Sequence, residues 1–521
     1  MKKTFLLALL LMVATFVFAG GSSESQSASV EGALGSLNSK AGGTLKVLIT
    51  SDPASLDDTT FRATQEFYFY ETILQKDADG KYCGFLIDSY DADIESLTYT
   101  FHMKDEPIYF HDGSVMTSEV LAWNINQYKE VGVFASSFNK IDYAEAVDDK
   151  TVVIHLLEWD MLLPNCFTRM CKPVSKQFVD QYGWKALASK ECGTGPFMLK
   201  EWNRDSEVKT VKFKQYHEGE PLLDGINYII ITSAEVALMA YQTGEVDVLC
   251  DSRLAYDQVI QLAEDPHTIL YTSERGGSAY TLGFHCQSSE DPFYDVRVRE
   301  AACYAIDTDA IGKAYTEGMY IPGSTQWSAN GYPYCSPDVT GFPYDPAKAK
   351  ELLAEAGYPN GFDTVLYVQT QFQGAAVYVQ SYLKKVGINA EIVTIDTANF
   401  STYIGGWGKG MMIHTVGVKN GQEYQLLTAA RSDNPSGYGQ RSFLLSPELD
   451  SYVKQAYNST VEDSYAPTQR AAKKFFQEDV SAYVLFLTKG WVAAKDYVKD
   501  AGICKNGGIT MDTLWTAWLD K

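Results

Sequence analysis

Residues 342–362 read FPYDPAKAKELLAEAGYPNGF, and residues 382–396 read YLKKVGINAEIVTID. The first stretch carries a nearly complete helix signature between Asp345 and Gly357. Asp345 is the predicted cap, Pro346 occupies the first turn, where its missing N–H is not needed, and Gly357 stops the helix. Ala349, Leu352, Leu353 and Ala356 recur at three- and four-residue spacing and form one apolar stripe. A second helix is predicted over 376–385, followed by a strand over 388–396. Working outward, Val298, Ala301, Ala302, Ala305 and Ile306 form another helical stripe. In TLKVLIT (44–50), Leu45, Val47 and Ile49 alternate with Thr44, Lys46 and Leu48, the pattern of a strand. YTFHM (99–103) reads as a strand between the turn signals DADG (77–80) and FHDG (110–113). Thr117 to Tyr128 reads as a helix capped by Ser118. Helices alternating with strands along the chain specify an α/β protein.

The chain has 521 residues, enough for two to four domains. Apolar residues make up 45% and charged residues 21%, which excludes a disordered tail, a collagen-like fibre and a multi-span membrane protein. Asp plus Glu total 66 against 43 Lys plus Arg, a net charge of −23. Such a surface repels phosphate backbones, so nucleic acid is not the expected partner. Aromatic residues are 13% of the chain, which serves either large cores or the gripping of small molecules on ring faces. At the N-terminus, Lys2 and Lys3 precede an apolar run from Phe5 to Ala19, and Val17-Phe18-Ala19 is a small-residue cleavage pattern. The run is too short for a comfortable membrane span of about 20 residues and reads as a signal peptide (1–19) cut after Ala19. No cysteine precedes Cys83, so lipid attachment is not expected, and the mature chain belongs in an extracytoplasmic space such as the periplasm. Residues 20–42 are rich in Gly and Ser and read as a flexible leader. The nine cysteines are scattered without a C-x-x-C pair, which fits buried apolar residues better than a zinc ribbon or a disulfide-stapled fold.

Catalytic and cofactor motifs fail one by one. No G-x-S-x-G occurs. HEGEP (217–221) lacks the second His of a zinc protease. GTGPFM (193–198) has Met198, and GYGQRS (437–442) has Ser442, where a dinucleotide loop needs its third Gly. YIGGWGKG (403–410) matches a phosphate loop only at Gly408-Lys409. A calcium loop from Asp77 breaks at Lys81, Tyr82 and Asp88. The seven histidines, at 102, 111, 155, 217, 267, 285 and 414, show no metal spacing. The expectation is a binding protein and not an enzyme, with no cofactor. The rivals from other classes are a secreted hydrolase and a surface adhesin.

Six blocks, in order, resemble the dipeptide/oligopeptide/nickel class of extracellular solute-binding proteins of ABC importers, family 5. They are FHDGSVMTSEVLAWNI (110–125), GTGPF (193–197), TGEVDVL (243–249), DPFYDVRVREAACYAIDTDAI (291–311), FPYDPAKAKELLAEAGYPNGF (342–362) and YLKKVGINAEI (382–392). The resemblance covers roughly residues 42–521. It implies a two-lobed type II periplasmic-binding-protein fold with a ligand cleft between the lobes. Lobe I would be discontinuous, about 43–278 plus 488–521, with an extra subdomain at about 60–185, and lobe II would be 279–487. TLGFH (281–285) would form one interlobe crossing and LTKGWVAAK (487–495) the other. A monomeric receptor that closes on a small-molecule solute and delivers it to membrane permease subunits is the implied mechanism.

Peptide-binding relatives place an aspartate against the peptide's amino group, just after the segment that TYIGGWGKGMMIHTVG (402–417) resembles here. VKNGQEYQLL (418–427) stands at that place, with Lys419 in the aspartate's slot and Glu423 beyond it. A lysine there repels an ammonium and suits a carboxylate or hydroxyls. Three ligand classes stay open: a peptide, an oligosaccharide and nickel. For a sugar, Trp327 with Gln326 and Asn330, and Tyr424 with Asn420 and Gln422, offer ring faces and amides. For nickel, the candidates are His285 and His414. Lys419→Asp is expected to weaken an acidic or hydroxylated ligand and to admit ordinary peptides. Titration calorimetry checks this, and unchanged affinity for the cognate ligand would place Lys419 outside the cleft.

Overall fold

A computed structural model describes residues 41–60, 67–77, 79–251, 253–273, 277–327, 331–396, 399–417, 432, 442–444, 446–503, 511 and 513–521. Two large sheets organise these residues. The first has seven strands, in the order Thr268–Thr272, Trp491–Lys495, Val248–Leu249, Thr44–Ile49, Gly225–Ile230, Glu207–Lys212 and Phe197–Asn203. The second has six, in the order Tyr320–Ile321, Ala482–Thr488, Ser278–Phe284, Met411–Gly417, Phe362–Gln369 and Ile388–Ile395. The chain leaves the first sheet at Thr272 and enters the second at Ser278; it leaves the second at Thr488 and re-enters the first at Trp491.

The stretch 342–396 folds as its pattern predicts. Asp345 caps the helix Pro346–Glu355, its carboxylate accepting from the N–H groups of Ala347 and Lys348 at 3.0 Å each. Ala349, Leu352 and Leu353 are buried, and Gly357 ends the helix at a φ of +94°, where a side chain is strained. Burying each leucine contributes about 1.5–3 kcal/mol. The strand Phe362–Gln369, the helix Gln373–Lys384 and the strand Ile388–Ile395 then form a parallel β-α-β unit in unbroken register, Phe362 opposite Ile388 through Gln369 opposite Ile395. This second helix starts three residues before its predicted beginning at residue 376.

A four-stranded antiparallel sheet, Ile87–Asp93, Thr98–Met103, Thr151–Leu156 and Ile141–Asp148, stands apart from the two large ones. The helix Ser118–Val131 packs on it through Leu121, Ala122, Ile125 and Tyr128. Its cap is Thr117 and not Ser118. The Thr117 hydroxyl accepts from Val120 N (3.3 Å), whereas Ser118 is buried and its hydroxyl donates to Asp148 O (2.7 Å). A tertiary acceptor takes the serine that local propensity assigns to the cap.

The FHDG and GTGPF blocks meet here. His111 N donates to Gly193 O (2.9 Å), and the His111 ring bridges the Glu191 carboxylate and Gly195 O. Burial pulls the His111 pKa down, but Glu191 outweighs it and leaves the pKa above its usual value. Beside this pair, buried Glu71 accepts from Thr194 Oγ1 (2.8 Å), Tyr216 OH (2.6 Å) and His217 Nε2 (3.0 Å). The His217 pKa is pulled down by burial yet pushed up to about 9 by Glu71 and Glu218. The glycines of GTG serve close approach and not a phosphate. A Cβ on Gly193 would stand 2.1 Å from Phe69 O, and one on Gly195 2.0 Å from Tyr68 O. Gly195→Ala is therefore expected to cost at least about 1–3 kcal/mol of stability. Urea denaturation checks it; an unchanged midpoint would mean that the 67–71 segment yields freely.

Candidate functional site

Strand directions place the site. In the first sheet, Thr44–Ile49 runs parallel to Gly225–Ile230 and to Val248–Leu249. Paired antiparallel steps leave Thr268–Thr272 and Phe197–Asn203 running the same way. Ile49, Asn203, Ile230, Leu249 and Thr272 thus share one end of that sheet. In the second sheet, Phe362–Gln369, Ile388–Ile395 and Met411–Gly417 are mutually parallel, and the antiparallel Ser278–Phe284 begins where they end. Only residues 273–277 separate the two ends. The carboxyl ends of the parallel strands of both sheets therefore face one gap, where open α/β sheets hold their ligands.

Two backbone segments cross this gap, bonded to each other. Ser273 N donates to Gly490 O (2.9 Å), and Ser278 N donates to Thr488 Oγ1 (3.0 Å). Gly277 lies so close that a Cβ would stand 2.8 Å from Thr488 Oγ1. Rings pack on the crossing: Tyr280 stacks on Phe486 (4.5 Å between centroids), and Tyr256 on the first side meets Tyr315 on the second (6.4 Å).

The residues singled out in the sequence distribute unevenly around this gap. Lys419, Asn420, Gln422, Glu423 and Tyr424 lie outside the described residues, as do Asn330 and Ala19. The strand Met411–Gly417 that leads to Lys419 ends with Gly417 opposite Ser278, at the crossing itself. Trp327 is buried, 4% exposed, and its indole N–H donates to Thr281 Oγ1 on the second-sheet strand Ser278–Phe284 (2.9 Å), which takes up most of the stretch 281–285 expected to cross between the lobes. Phe475, Phe476 and His414 cover its ring, which presents no open platform. Gln326 is buried too, exchanging two hydrogen bonds of 2.9 Å with the Ser336 backbone. His285 holds Asp291 through Nδ1 (3.2 Å), and Asp291 also accepts from Gly410 N (2.6 Å). His414 is buried in apolar surroundings that depress its pKa to about 3. Among the described residues no group of three or more His, Cys, Asp or Glu is gathered to hold a metal ion.

The structure brings to the gap residues that sequence reading did not single out. After Leu249, Arg253 pairs with buried Asp251 (Nε to Oδ1 2.8 Å, Nη2 to Oδ2 2.6 Å) and donates to the carbonyls of Ile231 and Thr232. After Ile49, Asp52 accepts from Trp202 Nε1 (2.9 Å) and Arg204 Nη1 (3.2 Å). No local motif marks these contacts, since Asp52 and Arg204 are 152 positions apart.

A family model described as bacterial extracellular solute-binding proteins, family 5 Middle, matches residues 81–438. The chain belongs to this family. Its sequence is 28% identical over 430 residues to the glutathione-binding protein GsiB of Pectobacterium atrosepticum, covering 78% of this chain and 80% of that one. Its fold is similar to that of the substrate-binding protein CtaP of Listeria monocytogenes, with a TM-score of 0.80, 20% identity, 92% of this chain and 100% of that chain covered. It is also similar to DppA of Helicobacter pylori, solved in complex with the peptide STSA, with a TM-score of 0.70, 22% identity, 94% of this chain and 100% of that chain covered. The fold is the two-lobed type II periplasmic-binding-protein fold, each large sheet forming the body of one lobe.

In this family 5 chain the lobes also touch away from the crossing. Trp159, stacked on Tyr99 at 5.0 Å, donates its indole N–H to Ser459 O (2.7 Å), and Lys140 lies 5.7 Å from the Tyr457 ring. An open recess of about 950 Å³ adjoins the two lobes, lined by Asp79 and Lys81 on one side and Thr325, Gln326, Tyr332 and Gln469 on the other. Among the described residues no helix is long and apolar enough to cross a membrane. Trp159→Phe keeps the stacking and removes the donor, at an expected cost of about 1 kcal/mol. Amide exchange is expected to quicken in the helix Pro447–Tyr457 and not in Ser278–Phe284. Unchanged exchange in that helix would show that this bond does not hold the lobes together.

Proposed function

We propose that the chain is the extracytoplasmic receptor of an ABC importer that captures a peptide-type solute between its lobes and delivers it to membrane permease subunits. The observation that carries this reading is the gap itself, where the carboxyl ends of both sets of parallel strands meet across a two-segment crossing. Relatives named for glutathione binding and a neighbour solved with a tetrapeptide support the peptide class. The buried ring of Trp327 speaks against the sugar reading, which needs an open aromatic face. In this reading lobe I comprises about 43–278 plus 488–521, with the extra subdomain at about 60–185, and lobe II comprises 279–487. The two crossing segments act as the hinge. The leader 1–19 directs secretion and is cut after Ala19, leaving a soluble monomer without a lipid anchor. Capture is binding without turnover, and the solute leaves unchanged.

The test is a thermal-shift screen of residues 20–521 against glutathione, di- to hexapeptides, malto-oligosaccharides, and nickel with and without chelator. A ligand at 100 times its Kd stabilises by about 2.7 kcal/mol. Peptide or glutathione shifts are expected. Shifts with oligosaccharides alone, or with nickel alone, would overturn the peptide reading.

A further inference from the structure

We propose that Arg204 is the first lobe's anchor for a carboxylate of the bound solute. The inference deepens the peptide reading and rests on it. Arg204 opens the turn after Phe197–Asn203, at the end of the first sheet that faces the gap. That turn is fastened to its neighbour, since Ile230 N donates to Ser206 O (2.9 Å). The guanidinium carbon sits 3.5 Å from the centre of the Trp202 ring. Asp52 clamps both side chains, Oδ1 accepting from the Trp202 indole and Oδ2 from Arg204 Nη1, and Nη1 also donates to Pro53 O (2.8 Å).

The decisive point is which edge of the guanidinium these contacts leave. Every hydrogen bond from Arg204 to the described residues runs through Nη1. Nε and Nη2 have no protein acceptor among those residues, and the side chain is 56% exposed. Nε–H and Nη2–H point the same way and match the two oxygens of a carboxylate. Arg253, at the same end of the sheet, differs: Asp251 takes its Nε–Nη2 edge, and the carbonyls of Ile231 and Thr232 take the rest. Arg253 braces the loops with its Nε–Nη2 edge taken by Asp251, whereas Arg204 is held in place with that edge open. Stacking on Trp202 also reduces the freedom that Arg204 loses when it binds. Peptides and glutathione both carry the carboxylate this edge fits.

The test measures affinities by titration calorimetry for trialanine and its C-terminal amide, and for glutathione and its diethyl ester. The proteins are the wild type, Arg204→Gln and Arg204→Lys. The wild type is expected to favour at least one free acid over its blocked form by tenfold or more. Arg204→Gln should lower affinity for that acid by on the order of tenfold and leave the blocked form within about twofold. Arg204→Lys, a charge without the fork, should fall between. An acid preference that survives in Arg204→Gln, or a wild type that binds both forms equally, would overturn the assignment and leave the peptide reading standing. A wild type that binds none of the four probes would sink both. An Arg204→Gln protein that melts with the wild type shows that any change lies in binding.

Discussion

The pair of backbone segments that cross between the sheets sets the shape of everything else. The strand Thr268–Thr272 leaves the first sheet at the end it shares with its parallel neighbours. After five intervening residues Ser278 enters the second sheet, at the end where its parallel neighbours stop. So short a connection has no room to carry the chain round to the opposite end of either sheet. Both sets of carboxyl-end loops are thereby forced to face one another. The return segment, Lys489 and Gly490, lies beside the outgoing one and is bonded to it through Ser273 and Gly490. These two bonded segments are where the proposed hinge lies.

The first lobe is stiffened by a different device. An acidic chain has to bury some carboxylates, and a buried carboxylate without partners is costly. Here Glu71 collects a hydroxyl, a phenol and an imidazole, while Glu191 holds His111. On the second side His285 holds buried Asp291, whereas the pairs His102–Asp91, His155–Glu145 and His267–Asp496 lie at the surface. Six of the seven histidines thus pair with carboxylates. His414 sits in an apolar layer with Trp327, Trp407 and Phe443.

What the sequence revealed divides along the range of the interactions. Asp345, Pro346 and Gly357 could be read because a cap, a first turn and a stop act within a dozen residues. Ser118 misled because the acceptor that claims it, Asp148 O, lies thirty positions away. Trp327 looked like an open platform because an indole in a Gly- and Ser-rich loop resembles one. Nothing nearby in sequence reveals that Thr281, Phe475 and Phe476 enclose it. The Asp52–Trp202–Arg204 cluster was invisible for the same reason, being joined only by the alignment of two strand ends. Lys419 is legible only by comparison with a family pattern, and it lies outside the described residues.

This division explains why the family is plain and the solute is not. His111, Gly193 and Gly195 lie in matched blocks because each meets backbone that must approach closely or accept a fixed hydrogen bond. Such positions tolerate few residues, and they build the frame. In the proposed function the solute meets the loops that follow the strands, where the backbone imposes little. Arg253 and Arg204 stand at the same end of one sheet, yet an aspartate takes the Nε–Nη2 edge of one while the other keeps that edge open. That difference lies in what each side chain touches and not in the residue type. The chemistry of capture is therefore written in contacts between distant loops, on a frame whose own requirements are local enough to read.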